Sequence, residues 1–98
     1  MEIDRSDIRH SRERHRFELA LEKGEAYVEY ERREGVIDLL STWVPPAHRN
    51  RGIGEAIVVR ALEFARDRGL EVIPTCPFVP RVIDRNPEFR SLTRSGPS

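Results

Sequence analysis

The stretch Val44-Pro45-Pro46-Ala47-His48-Arg49-Asn50-Arg51-Gly52-Ile53-Gly54 decides the fold, because it joins an apolar run to a run with helical spacing. Pro45 and Pro46 end the preceding strand, since neither nitrogen can donate to a ladder. Gly52 and Gly54 stand where the chain turns into a helix. Without Cβ atoms they adopt dihedrals that other residues resist, and they let a bulky group approach the main chain. The first amides of a helix have no intrahelical acceptor and lie at the positive end of its dipole. A diphosphate placed there would satisfy several donors together, with about 0.3–1 kcal/mol of dipole stabilisation per favourable charge. Arg49 and Arg51 would add formal charge. The same residues also suit a plain turn with solvated arginines, and the loop alone does not choose between the two.

Downstream, Ile53, Ile57, Val58, Ala61, Leu62, Phe64 and Ala65 recur at helical spacings, with Gly69 as the stop. Residues 70–75 are short and β-branched, as in a strand; reached through a crossover helix, it should run parallel to the strand before the loop. Residues 78–85 predict a short helix with Val79, Val82 and Ile83 inward, ended by Asn86-Pro87. Upstream, Phe17, Leu19 and Leu21 alternate with polar or small residues, as do Ala26, Val28 and Tyr30, which predicts an antiparallel hairpin. Residues 36–44 are more continuously apolar and predict a central strand covered on both faces, with Trp43 in the core or with its edge lining the acceptor pocket. The expected architecture is therefore α/β in the α+β sense: an antiparallel three-strand meander, a β-loop-α-β unit and a short final helix. Residues 1–14 carry dense charge without apolar periodicity and predict a flexible arm; 15–93 form one domain, and 94–98 a flexible tail.

A chain of 98 residues has room for one core. Its 17 basic and 17 acidic residues cancel, which argues against general nucleic-acid binding. No segment is apolar enough to span a bilayer, and the charged amino terminus lacks the apolar centre of a secretory signal, so the expected compartment is the cytoplasm. Cys76 is the single cysteine, which excludes an internal disulfide, and His10, His15 and His48 lack metal-ligand spacing, so no metal is expected. A monomer or weak dimer is the expected state.

No Gly-Lys-Ser or Gly-Lys-Thr follows the loop, and no acidic residue stands in a Rossmann context, which disfavours nucleotide hydrolysis and dinucleotide binding. The order Val44-Pro45-Pro46, then Arg49-Asn50-Arg51-Gly52-Ile53-Gly54, then a long helix, resembles the acetyl-CoA loop of the GNAT superfamily of N-acetyltransferases. Further segments are similar to its small stand-alone YjdJ-type branch: Arg16-Phe17-Glu18-Leu19, residues 65–70, Val72 to Val79, and Asn86-Pro87-Glu88-Phe89.

The resemblance implies two parallel strands that splay around the pantetheine arm of acetyl-CoA, and transfer of the acetyl group to an amine not identified by the sequence. Cofactor-binding residues carried over are Val44, Arg49, Asn50, Arg51, Gly52, Ile53, Gly54, Cys76 and Pro77. Members of this branch share a cysteine at position 76, for which a catalytic role has been proposed. A free thiol near pKa 8.5 is only about 3% thiolate at pH 7, so nucleophilic work would need a lowered pKa, and a buried structural thiol fits the position too. Larger GNAT enzymes use a carboxylate or water as base and often a tyrosine as acid. This chain has no tyrosine after the second helix, and Ser41-Thr42-Trp43-Val44 replaces a His-Thr-x-Val pattern. Asp38, Glu29 and His48 are candidate bases that surface charge explains equally well. A noncatalytic acyl-CoA-binding module is the alternative.

Overall fold

A computed structural model describes residues 5–93, and the expected tail at 94–98 lies outside them. It is a mixed α/β fold. One five-stranded sheet runs in chain order: β1 (Arg9–Ser11), β2 (Arg16–Leu21), β3 (Gly24–Arg33), β4 (Val36–Trp43) and β5 (Glu71–Ile73). The first four pair antiparallel and β5 joins β4 in parallel, Ile37 opposite Val72. Helix α1 (Ile53–Arg68) makes the crossover; α2 (Phe78–Arg85) and a 3-10 segment at Pro87–Leu92 follow.

Period-two patterning buries one face. Phe17, Leu19, Ala26, Val28, Tyr30, Ile37 and Leu39 point into a core closed by Ile57, Val58, Ala61, Leu62 and Ala65 of α1. Val79, Val82 and Ile83 of α2 complete it, as their spacing predicts, together with Phe89. The carboxyl end of α1 closes on Gly69, which has φ 65°, while the Leu70 amide donates to the Ala65 carbonyl at 2.8 Å.

Three expectations give way. Residues 5–11 are not an arm outside the core: Ile8 is buried, and β1 pairs with β2 from Arg9 opposite Glu18 to Ser11 opposite Arg16. His10 stacks on Phe17 with 4.2 Å between centroids, so an imidazole takes an aromatic core position that charge counting does not reveal. β4 is covered on one face only. Leu40 has no partner in the register, which steps from Leu39 opposite Tyr30 to Ser41 opposite Glu29, and this bulge turns Leu40 outward. Trp43, expected in the core, is 43% exposed.

Candidate functional site: the turn into α1

β4 stops at Trp43, and Pro46–His48 form one 3-10 turn in which the His48 amide donates to the Pro45 carbonyl at 2.9 Å. His48 is thereby folded inward and buried. Asn50 at φ 66° and Gly52 at φ 79° then reverse the chain into the helix through two left-handed residues.

The two glycines serve different ends. A Cβ on Gly52 would meet nothing within 4 Å, so the dihedral alone demands glycine there. A Cβ on Gly54 would stand 3.2 Å from Phe78 Cε2 and 3.4 Å from Val44 Cγ2. Its missing side chain makes room for α2 against the helix start, which sequence reasoning had assigned to the approach of an anion.

The first intrahelical bond runs from the Ala56 amide to the Gly52 carbonyl at 3.0 Å, and no side chain caps the helix. The amides of Ile53, Gly54 and Glu55 therefore precede the hydrogen-bonded ladder at the positive end of the dipole. They border a cleft of about 480 Å³. Val44, Arg49, Asn50, Gly52, Ile53 and Gly54, all expected from the sequence, line it. Arg51, Cys76 and Pro77 do not: Arg51 and Pro77 face solvent, and Cys76 is only 5% exposed.

Thr42, Trp43, His48, Glu55, Phe78 and Arg85 complete the lining. The Thr42 hydroxyl lies 3.4 Å from Cys76 Sγ, so the thiol reaches the cleft through a hydroxyl rather than directly. Arg49 is held in place: its Nε donates to the Val44 carbonyl at 2.9 Å, and its guanidinium lies 5.1 Å from the Trp43 ring centroid. Arg85 donates to Glu55 Oε1 at 2.6 Å, tying α2 to the first turn of α1. Arg81 and Arg85, one helical turn apart, suit either a reach toward the cofactor's phosphates or a solvated place; Arg85 lines the cleft and Arg81 does not, which depends on how α2 packs.

The parallel ladder of β4 and β5 ends after Asp38 opposite Ile73. One further main-chain bond follows, from the Cys76 amide to the Leu39 carbonyl at 2.9 Å. β4 then continues to Trp43 while β5 has ended, which leaves the outer edge of β4 without a strand neighbour at the cleft among the described residues. Uncapped amides, fixed arginines and an open parallel edge make a cradle for an anionic group carried on an extended arm. Among the described residues no group of His, Cys, Asp or Glu is placed to hold a metal ion, and no helix is long and apolar enough to cross a membrane.

Comparison with known protein families matches residues 16–92 to the GCN5-related N-acetyl-transferase family. The chain belongs to that family. Protein NATD1 of Mus musculus is 30% identical over 94 residues, covering 92% of this chain and 84% of the relative. Protein NATD1 of Homo sapiens is also 30% identical over 94 residues, covering 92% and 82%. The Gallus gallus protein is 30% identical over 84 residues, covering 82% and 76%. In this acetyltransferase fold the match spans the loop, both helices and all strands except β1.

Proposed function

We propose that this chain binds acetyl-CoA in the cleft and transfers its acetyl group to an amine, acting in the cytoplasm. One observation carries the reading: Gly52 in the left-handed region delivers uncapped amides of residues 53–55 to a cleft that already holds Arg49. The residues fit the group. A diphosphate supplies the acceptors those amides lack, and Asn50, Arg49 and Arg85 stand at the same cleft to meet its remaining oxygens.

The bound thioester supplies an activated acyl carbon. A lysine-like amine is only about 0.04% neutral at pH 7, so the ammonium must first give up one proton, which passes to solvent. The neutral nitrogen then forms the new C–N bond as the C–S bond breaks; it loses a second proton as the amide forms, and the departing thiolate takes one up. His48 lines the cleft and is the candidate acceptor, directly or through water. Cys76 acts as a positioning residue, holding the Thr42 hydroxyl with its thiol.

Isothermal titration tests the binding half. Wild-type protein should bind acetyl-CoA saturably, and Arg49→Ala/Gly52→Val should bind it at least tenfold more weakly while keeping its circular dichroism. Equal affinities would remove the loop assignment.

A second reading, a noncatalytic acyl-CoA-binding module, rests on Glu55. It is the single carboxylate lining the cleft among the described residues, and Arg85 and Asn86 engage both its oxygens. Thiol release from acetyl-CoA with polyamines, small amines and lysine peptides separates the two readings: turnover supports the enzyme, and binding without turnover supports the module.

A further inference from the structure

The other end of the molecule holds a concentration of cationic charge that the cleft does not use. Arg60 and Arg68 lie on α1 with Phe64 between them, four residues from each, so the three share one helix face. Arg68 stands 4.9 Å and Arg32 stands 5.9 Å from the Phe64 ring centroid, and Arg60 stands 5.6 Å from that of Phe17. Phe17 and Phe64 are themselves 5.4 Å apart, and His10 touches both, at 4.2 and 4.7 Å. Arg12 follows β1 in the turn beside His10. Arg12, Arg32 and Arg68 are exposed, and Arg60 is half-buried.

Among the described residues, none of these four guanidiniums has a carboxylate within 4.0 Å. Several carboxylates on the same elements are engaged by other arginines: Glu63 by Arg5, Glu18 and Glu25 by Arg14 and Arg16, Glu31 by Arg33, and Asp67 by Arg66. In a chain whose charges cancel overall, three like charges gathered around two rings, with Arg12 beside His10 as a fourth, repel one another unless an anion lies among them. Their field is felt at His10, whose imidazole is held down to about 4, first by burial and then by Arg12, Arg60, Arg68 and Arg32.

We propose that Arg32, Arg60 and Arg68, set around the Phe17–Phe64 pair, together with Arg12 in the turn after β1, bind a small polyphosphorylated ligand at a second site. Guanidinium groups steadied by aromatic rings keep their donor forks oriented, and those forks match phosphate oxygens two at a time. Several phosphates are required because a single phosphate dianion offsets only part of the cluster. A single-stranded nucleic acid is disfavoured by burial: Phe17 is fully buried and Phe64 only 6% exposed, so neither ring offers a base a stacking surface. None of the four arginines lines the cleft. Along the α1 axis Arg60 stands about 9 Å and Arg68 about 21 Å from Gly54.

The probes are inorganic tripolyphosphate, orthophosphate and a twelve-nucleotide single-stranded RNA, titrated calorimetrically into the full chain at low salt. Tripolyphosphate should bind saturably, at least tenfold tighter than orthophosphate, and more tightly than the RNA per phosphate. Arg60→Gln/Arg68→Gln should weaken tripolyphosphate at least tenfold with unchanged circular dichroism, and Arg12→Gln, outside the helix, should weaken it severalfold. Tripolyphosphate can also enter the cleft, so Arg49→Ala/Arg85→Ala should remove at most that binding step and leave the step lost in Arg60→Gln/Arg68→Gln unchanged, which separates this site from the proposed acetyl-CoA site whatever happens there. Absence of saturable binding, loss in the cleft variant rather than the Arg60/Arg68 variant, or preference for the RNA would each overturn the proposal.

Discussion

The two ends of α1 begin from the same local geometry and reach opposite outcomes. Gly52 and Gly69 flank the helix, both sit in the left-handed region at φ 79° and 65°, and a Cβ on either would meet nothing within 4 Å. At Gly69 the hydrogen bonds close: its amide reaches the Arg66 carbonyl at 3.2 Å, and the Leu70 amide reaches Ala65. At Gly52 they stay open, because the amides of residues 53–55 meet a cleft instead of a cap. A left-handed glycine is therefore no signature of function by itself. What distinguishes the two is whether the backbone groups it releases find partners within the chain.

The largest effect expected of any change at these ends is at Gly54, whose side-chain space is already occupied. Gly54→Val drives its branches into Phe78 and Val44, and urea unfolding should show a loss of about 2–3 kcal/mol, as for other overpacked sites. A loss below about 0.5 kcal/mol would mean that α2 is not held close against the helix start.

His10 gives the next largest effect and concerns the end of the molecule remote from the cleft. Its folded pKa is lowered from 6.5 to about 4, so below pH 6.5 the unfolded chain takes up a proton that the folded chain refuses. Stability is unaffected by this group above pH 6.5 and falls as pH drops from 6.5 toward 4. After discounting for solvent screening, the loss is about 1–2 kcal/mol. Urea unfolding of wild type against His10→Phe across this range should show the variant losing less stability on acidification.

Alanine at either flanking glycine tests the comparison itself. Gly52→Ala and Gly69→Ala should each cost about 1 kcal/mol, since both place a side chain in the left-handed region. Only Gly52→Ala should weaken acetyl-CoA. Equal binding losses from both would erase the distinction between an open and a closed end.

The smallest effect is at Glu55, a first-turn carboxylate bonded to an exposed arginine. Glu55→Gln should change stability by less than about 0.5 kcal/mol. It should also raise acetyl-CoA affinity a few-fold in calorimetry, because it removes a negative charge from the anion's place and releases Arg85.

The sheet and both helices were legible because their burial is periodic. Phe17 to Leu21 and Ala26 to Tyr30 alternate, and the apolar positions of residues 53–65 all face the core. What escaped had physical causes. β1 is short and charged, and its claim on the core rests on Ile8 and the ring of His10. Leu39-Leu40 read as a strand buried on both faces because a bulge is invisible in composition. Of the expected cleft residues, those in the contiguous loop came together apart from Arg51, whereas Cys76 sits one hydroxyl behind the cleft. Arg85 and Phe78 enter it through tertiary packing, which no local pattern encodes.

The most direct test follows backbone amide resonances in a 15N-labelled sample as acetyl-CoA is added. Saturable shifts should be largest at Ile53, Gly54 and Glu55, with little change at Gly69 and Leu70. A saturated complex in which residues 53–55 keep their free-state shifts would contradict the claim that the open end of α1 holds the diphosphate.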